Sequence, residues 1–252
     1  MKENRLYDHF SKYMASPKEI VREGISRALG PNTDNSDYIK NNFSYLVTLS
    51  EQKAYEAYLD NQKQAWKRAL DDYLKPMLLE TDPKKIRADF LTNHFDELNS
   101  FFLSLSQSRK ARGGRAFQYI IKDLLNRLEY PFTEESVING KPDFLFPSEE
   151  YYRENPVDCI IFTVKRIVRE RWRQIVTEGT RGLGFFLATI DDKVSDNQVH
   201  EMSANRIFLV VPQNLKSSIE VYRDAPNVIS FETFFEDYLD PAVKRWKRSE
   251  LI

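Results

Sequence analysis

The sequence predicts an α/β fold, a mixed central sheet flanked by helices and preceded by a helical N-terminal region, and three observations carry that prediction. Up to about residue 105 apolar residues recur at helical spacing behind helix-start signals. Beyond it, short apolar runs rich in β-branched and aromatic residues alternate with helical stretches, the pattern of strands fed by crossover helices. At 252 residues and 41% hydrophobic content, the chain can bury a substantial core as one large domain or as one domain with a helical annex.

The first helix signal is Ser16-Pro17-Lys18-Glu19, a capping box in which serine accepts from an early amide and proline occupies the first turn. Gly30-Pro31 should stop that helix. A polar stretch from Asn32 to Asp37 leads to Tyr38, Phe43, Tyr45 and Leu46, then to a long helical pattern from about Ala54 to Leu79. Asp82-Pro83 opens another helix running towards Leu105. After Arg112-Gly113-Gly114, the residues Phe117, Ile120, Ile121, Leu124, Leu125 and Leu128 give a further helix one apolar face. Strands are expected at Ser136–Ile138, Asp143–Phe146, Val157–Val164, Gly184–Ile190, Ile207–Val211 and Val228–Ser230, with a helix from the end of the third to about Glu178. The expected division is a helical region over 1–105 and a catalytic domain over 106–252, with a soft boundary because no flexible linker separates them.

Several function classes drop out early. No apolar run approaches the roughly 20 residues that span a bilayer, and Met1 to Phe10 lacks the apolar stretch of a signal peptide, so no membrane partner and a cytoplasmic location are expected. The single cysteine, Cys159, excludes an internal disulfide and a multi-cysteine zinc site, and His9, His94 and His200 form no ligand motif. A net charge of -1 gives no global case for nucleic-acid binding. Local charge does: Arg109, Lys110, Arg112 and Arg115 form one basic cluster, and Lys165, Arg166, Arg169, Arg171 and Arg173 a denser one.

Three residues combine into one chemistry. Asp143 follows the turn at Asn139-Gly140 and stands at a strand edge; Lys165 ends the apolar strand Val157–Val164; Glu178 lies near the far end of the helix after it. Phosphodiester hydrolysis needs an activated water, a neutralised anionic transition state and a stabilised leaving group. Two carboxylates are a sufficient protein contribution to Mg²⁺, which keeps several waters, and a lysine beside it can position the attacking water and offset phosphate charge. Taken alone, the basic run after Lys165 would be a solvated helix face making surface pairs; its spacing to Asp143, 22 residues before Lys165, and to Glu178 favours a site.

The pattern resembles the PD-(D/E)XK nuclease fold, in the variant whose second acidic residue has moved from the strand to the following helix. The carboxylate that usually stands two positions before the lysine is replaced here by Thr163. In the restriction endonucleases of the EcoRII, SsoII and PspGI group the missing carboxylate comes from the helix thirteen residues beyond the lysine, and Lys165 plus thirteen is Glu178. Ser108-Arg109-Lys110-Ala111-Arg112-Gly113-Gly114, Pro142-Asp143-Phe144-Leu145-Phe146-Pro147, and Val164-Lys165 with Arg169-Glu170-Arg171-Trp172-Arg173-Gln174 and Glu178 are similar to that group's blocks, in order, over roughly residues 107–180. One departure stands out: the group often carries a glutamate where this chain has Gln118, which bears on a second metal ligand.

The resemblance implies a type II restriction endonuclease making Mg²⁺-dependent double-strand cuts at a CCNGG or CCWGG type site, before the first C, leaving 5′ overhangs. Arg169, Glu170 and Arg171 would read the base edges, since arginine pairs with guanine O6 and N7 and glutamate accepts from the cytosine N4 amino group. Gln107 resembles a minor-groove contact of the group, and Arg109, Lys110, Arg112 and Arg173 are expected on the DNA backbone. Trp172 is expected to pack beneath the reading helix. Some members flip the central bases out against an N-terminal aromatic residue, for which Phe43 and Tyr45 are the candidates here, although a core role is the expected one for each. A palindromic double-stranded site calls for a homodimer, and a bacterial or archaeal source with a cognate methyltransferase is implied. Two other classes compete: a nonspecific or repair nuclease of the same fold, and a catalytically silent DNA-binding protein.

Overall fold

The computed structural model describes residues 5–78, 92, 94–138, 141–168 and 184–248, without the side chains of residues 5, 76–78, 110 and 111. The N-terminal half is helical: α1 (Arg5–Tyr13), α2 (Pro17–Leu29), α3 (Ser36–Asn41), α4 (Phe43–Leu78) and α5 (Phe95–Arg127). The capping box forms as expected, with Ser16 Oγ accepting from Glu19 N–H at 3.3 Å and the Glu19 carboxylate accepting from Ser16 N–H at 2.8 Å. Gly30 ends α2 with φ of 53°, a conformation that favours glycine. Gly24 serves closeness instead: a Cβ there would lie 2.5 Å from the backbone nitrogen of Ala54, so only glycine lets α2 cross α4 at this distance.

The sheet holds β1 (Thr133–Glu134), β2 (Phe144–Phe146), β3 (Ile160–Val164), β4 (Gly184–Ala188), β5 (Ile207–Val211) and β6 (Val228–Ser230), paired in sequence order. β1 pairs with β2 and β2 with β3 antiparallel; β3 to β6 are parallel. Both faces are covered, which is why the inner strands read as continuous apolar runs. On one face Phe144, Phe146, Ile160, Phe162, Val164 and Phe186 pack against α2 to α5 and the C-terminal segment Phe231–Arg248. On the other, Leu145, Ile161, Phe185, Leu187 and Leu209 pack against Tyr152 of α6 (Glu149–Glu154), Val199 and Met202 of α7 (Asp196–Ala204) and Tyr222. Each fully buried phenylalanine in these layers contributes about 1.5–3 kcal/mol. A smaller cluster joins Leu6 and Phe10 of α1, Ala65 and Ala69 of α4, and Phe101 and Leu105 of α5.

The differences from the sequence reading are local. The first strand is Thr133–Glu134, not Ser136–Ile138: Glu135 turns the chain with φ of 49°, and Val137 is left 76% exposed. Asp143 sits just ahead of β2, and residues 156–158 form a 3-10 turn before β3. α4 begins at Phe43, eleven residues before the expected Ala54. α5 runs unbroken through Gly113-Gly114, after which a separate helix is expected from the sequence, so the 105/106 position falls inside one helix. The helix signal at Asp82-Pro83 lies outside the described residues.

Candidate active site

β2 and β3 are antiparallel, with Phe144 opposite Phe162. The residue before β2 is therefore brought beside the residues that end β3, and the carboxyl edge of the parallel strands is where open α/β sheets bind ligands. Asp143 Oδ2 accepts from Val164 N–H at 2.6 Å, and Oδ1 accepts from Gln118 Nε2 of α5 at 2.9 Å. Lys165 Nζ stands 3.5 Å from Asp143 Oδ2. The Lys165 backbone N–H donates to Ala188 O at 2.9 Å, extending the parallel ladder one residue past β3 and fixing where the side chain leaves the sheet. Asp143 is 14% exposed and Lys165 38%. Burial pushes the Asp143 carboxyl above its ordinary range against the opposing pull of Lys165 and the Val164 hydrogen bond, while Glu135 pushes it further up. Thr163, at the position where the usual motif has its acid, is buried within the strand.

The oxygens gathered here among the described residues are the two of the Asp143 carboxylate, hard donors, one of which accepts from the Gln118 amide nitrogen. That chemistry suits a hard divalent cation and not a soft metal. Among the described residues no group of three or more His, Cys, Asp or Glu side chains gathers into a metal site. Glu178, Arg169, Glu170, Arg171, Trp172 and Arg173 lie outside the described residues.

The remaining expected DNA contacts line α5. Gln107 and Arg109 are exposed, and Arg109 Nη2 donates to Gln62 Oε1 of α4 at 3.0 Å. Arg112 lies 6.0 Å over the Tyr58 ring. Lys110 has no described side chain. Phe43 is wholly buried, with its ring 5.1 Å from that of Phe231 and 4.8 Å from that of Phe235, in the core role expected for it. Tyr45 is 58% exposed.

Two features escaped the sequence reading. A cavity of about 380 Å³ opens between α4 and α5, lined by Glu51, Tyr55, Tyr58, Arg109, Arg112 and Arg166 among others. Glu51 Oε1, the Tyr58 hydroxyl and Arg112 Nη1 are buried there without a hydrogen-bond partner among the described residues. The second is an ion pair from Arg166 Nε to Glu51 Oε2 at 3.1 Å, joining the residue after Lys165 to a helix 115 positions earlier. No sequence pattern links those two positions.

Residues 78–235 match the family described as EcoRII C terminal. Two relatives carry that likeness further. The type II restriction enzyme SsoII of Shigella sonnei is 23% identical over 232 residues, 86% of this chain and 75% of that protein. The type II restriction enzyme EcoRII of Escherichia coli is 34% identical over 127 residues, 48% of this chain and 31% of that longer protein. Among solved structures, metal-depleted Ecl18kI in complex with uncleaved DNA superposes with a TM-score of 0.76 at 24% identity, covering 98% of this chain and 84% of that one. A PspGI–substrate DNA complex gives 0.65 at 22% identity, covering 94% and 96%. These likenesses identify the fold as that of the restriction endonucleases.

Proposed function

The chain belongs to the EcoRII C-terminal family, and from that premise we propose that it is a type II restriction endonuclease cutting both strands of DNA at a short CC/GG-containing palindrome of the CCNGG or CCWGG type. The observation that carries the catalytic assignment is Lys165 Nζ at 3.5 Å from Asp143 Oδ2, on the sheet edge where β2 meets β3. Asp143 and Glu178 would hold Mg²⁺, which when bound neutralises the scissile phosphate and lowers the pKa of a coordinated water. Lys165 then orients the attacking water and donates towards the phosphate oxygen as charge develops. Gln118 keeps one Asp143 oxygen aimed, and the Val164 N–H fixes the other.

Arg169, Glu170 and Arg171 read the G·C pairs, each good contact discriminating by about 1–3 kcal/mol. Gln107, Arg109, Lys110, Arg112 and Arg173 follow the groove and backbone, and a homodimer supplies the second active site for the second strand. A cognate methyltransferase would protect host DNA. An extruded central base fits the cavity beside Tyr55 better than any position at Phe43, because Tyr55 is 61% exposed and buried polar atoms converge there. Tyr45 stays a second candidate on the same helix.

The test is to incubate the protein with phage DNA, with Mg²⁺ or with EDTA, and sequence the fragment ends. Discrete metal-dependent fragments with 5′ overhangs opening at a CC/GG site are expected. A smear would indicate a nonspecific nuclease, and intact DNA a silent binding protein.

A further inference from the structure

Arg166 has an arrangement that an ordinary surface arginine lacks. Its backbone is fixed on both sides: Lys165 N–H donates to Ala188 O, Thr189 Oγ1 donates to Arg166 O at 3.3 Å, and Val168 N–H donates to Asp191 Oδ2 at 3.0 Å. Its side chain passes over α5 at Gly113, where a Cβ would sit 3.8 Å from Arg166 Cδ, and reaches Glu51 of α4. Glu51 is 14% exposed and takes only Nε; the guanidinium is 42% exposed and forms no other hydrogen bond among the described residues. A buried carboxylate with one oxygen unpartnered is a costly group to keep. What it achieves here is a guanidinium held through Nε, 42% exposed, whose two terminal nitrogens form no hydrogen bond among the described residues and make a planar fork suited to two phosphate oxygens.

We propose that Arg166 binds the DNA phosphate next to the scissile one, and that Glu51 is its positioning residue. The inference rests on DNA being the substrate. Arg166 directly follows Lys165, the residue proposed to act at the scissile phosphate, and this adjacency assigns it to the neighbouring one. Arg109 and Arg112 line the same cavity and make its rim cationic.

The experiment measures equilibrium binding to short duplexes, with and without a CC/GG site, by fluorescence anisotropy in EDTA at rising salt. Losing one phosphate contact reduces the slope of log affinity against log salt by about 0.9. Over a fourfold rise in salt, Arg166→Gln should therefore lose about 3.5-fold less affinity than wild type per contact removed. The effect should be equal on both duplexes, because a phosphate contact carries no sequence information. Arg166→Lys should keep the slope but bind several-fold more weakly, lacking the fork. Glu51→Gln should weaken binding in the wild-type background and add nothing to Arg166→Gln, since it acts through that residue.

A folded Arg166→Gln variant with the wild-type slope, or additive effects in the double variant, overturns the inference and leaves a strut between α4 and β3. If Arg166→Gln does not fold, Arg166→Lys decides: undiminished affinity overturns the proposal. Wild-type protein with no salt-dependent DNA binding would instead remove the endonuclease reading itself.

Discussion

Replacing Asp143 by asparagine and by alanine separates the cost of burying its charge from its work as an acceptor. In the folded protein one carboxylate oxygen accepts from Gln118 and the other from Val164 N–H. Asparagine offers one oxygen and one amino group. The oxygen meets Val164 N–H, and the Gln118 amide, turned over, presents its own oxygen to the new amino group. Both hydrogen bonds survive, and a charge that burial disfavours is removed. Alanine instead strands the N–H of Val164, a residue only 5% exposed. A buried donor without a partner costs about 1–3 kcal/mol, which for a chain of this size, at about 2–4 °C per kcal/mol, lowers Tm by about 2–12 °C. Thermal melts in EDTA at about pH 8 should therefore place Asp143→Asn at or above wild type and Asp143→Ala below it, with neither cutting DNA. An asparagine variant that melts below the alanine one, or that cleaves at the wild-type rate, would refute the reasoning.

Lys165→Ala should slow cleavage by about 10²–10⁴-fold while leaving specific binding in EDTA nearly intact, read by plasmid digestion beside a gel-shift assay. Arg171→Ala should do the reverse, losing discrimination between a CC/GG duplex and a mismatched one by about 1–3 kcal/mol in competition binding. Gln118→Glu sets a second carboxylate against Asp143; it should lower Tm without metal and recover it with Mg²⁺, and a Tm indifferent to both would place residue 118 away from the metal. Burial raises the folded-state pKa of Glu51 above that of a free carboxyl, with Arg166 opposing. Its stabilising contribution is therefore full below the ordinary carboxylate range and lost as pH rises through the raised value. The Tm of Glu51→Gln should accordingly gain on wild type as pH is raised from the acid side to neutrality, and a difference flat with pH would contradict this.

The parts of the fold legible in the sequence are those where local pattern and tertiary role agree. Ile207–Val211 and Val228–Ser230 are strands at the expected bounds because both sheet faces are covered and every position there is apolar or small. The capping box at Ser16 is equally local. Where the two disagree, tertiary context prevails. Gly113-Gly114 reads as a turn, since glycine disfavours a helix interior by about 1 kcal/mol per residue, yet flanking anchorage in two cores carries α5 through it. Val137-Ile138 has strand character, but the reversal at Glu135 takes it off the sheet. The meeting of Asp143 and Lys165 at one sheet edge was legible from their spacing and from the strand that ends at Val164. Glu51 was not, since a glutamate in the middle of a helix reads as a solvated face until Arg166 is seen against it.

The single helix that spans the 105/106 division decides how the molecule comes apart. At 33 residues, α5 is a rod of about 50 Å, fixed at one end by Phe101 and Leu105 in the α1/α4 cluster and at the other by Phe117 to Leu125 beneath the sheet. Melting either lobe alone would free one end of the rod while the other stayed packed, so the helix couples the stability of the two. A protease or a truncation that severs the chain near residue 105 should therefore leave an impaired fragment, which retains Asp143 and Lys165 but forfeits Glu51 and the anchorage of the first part of α5. On the proposed reading, the helical region would form one wall of the site, through Gln118 at Asp143 and Glu51 at Arg166.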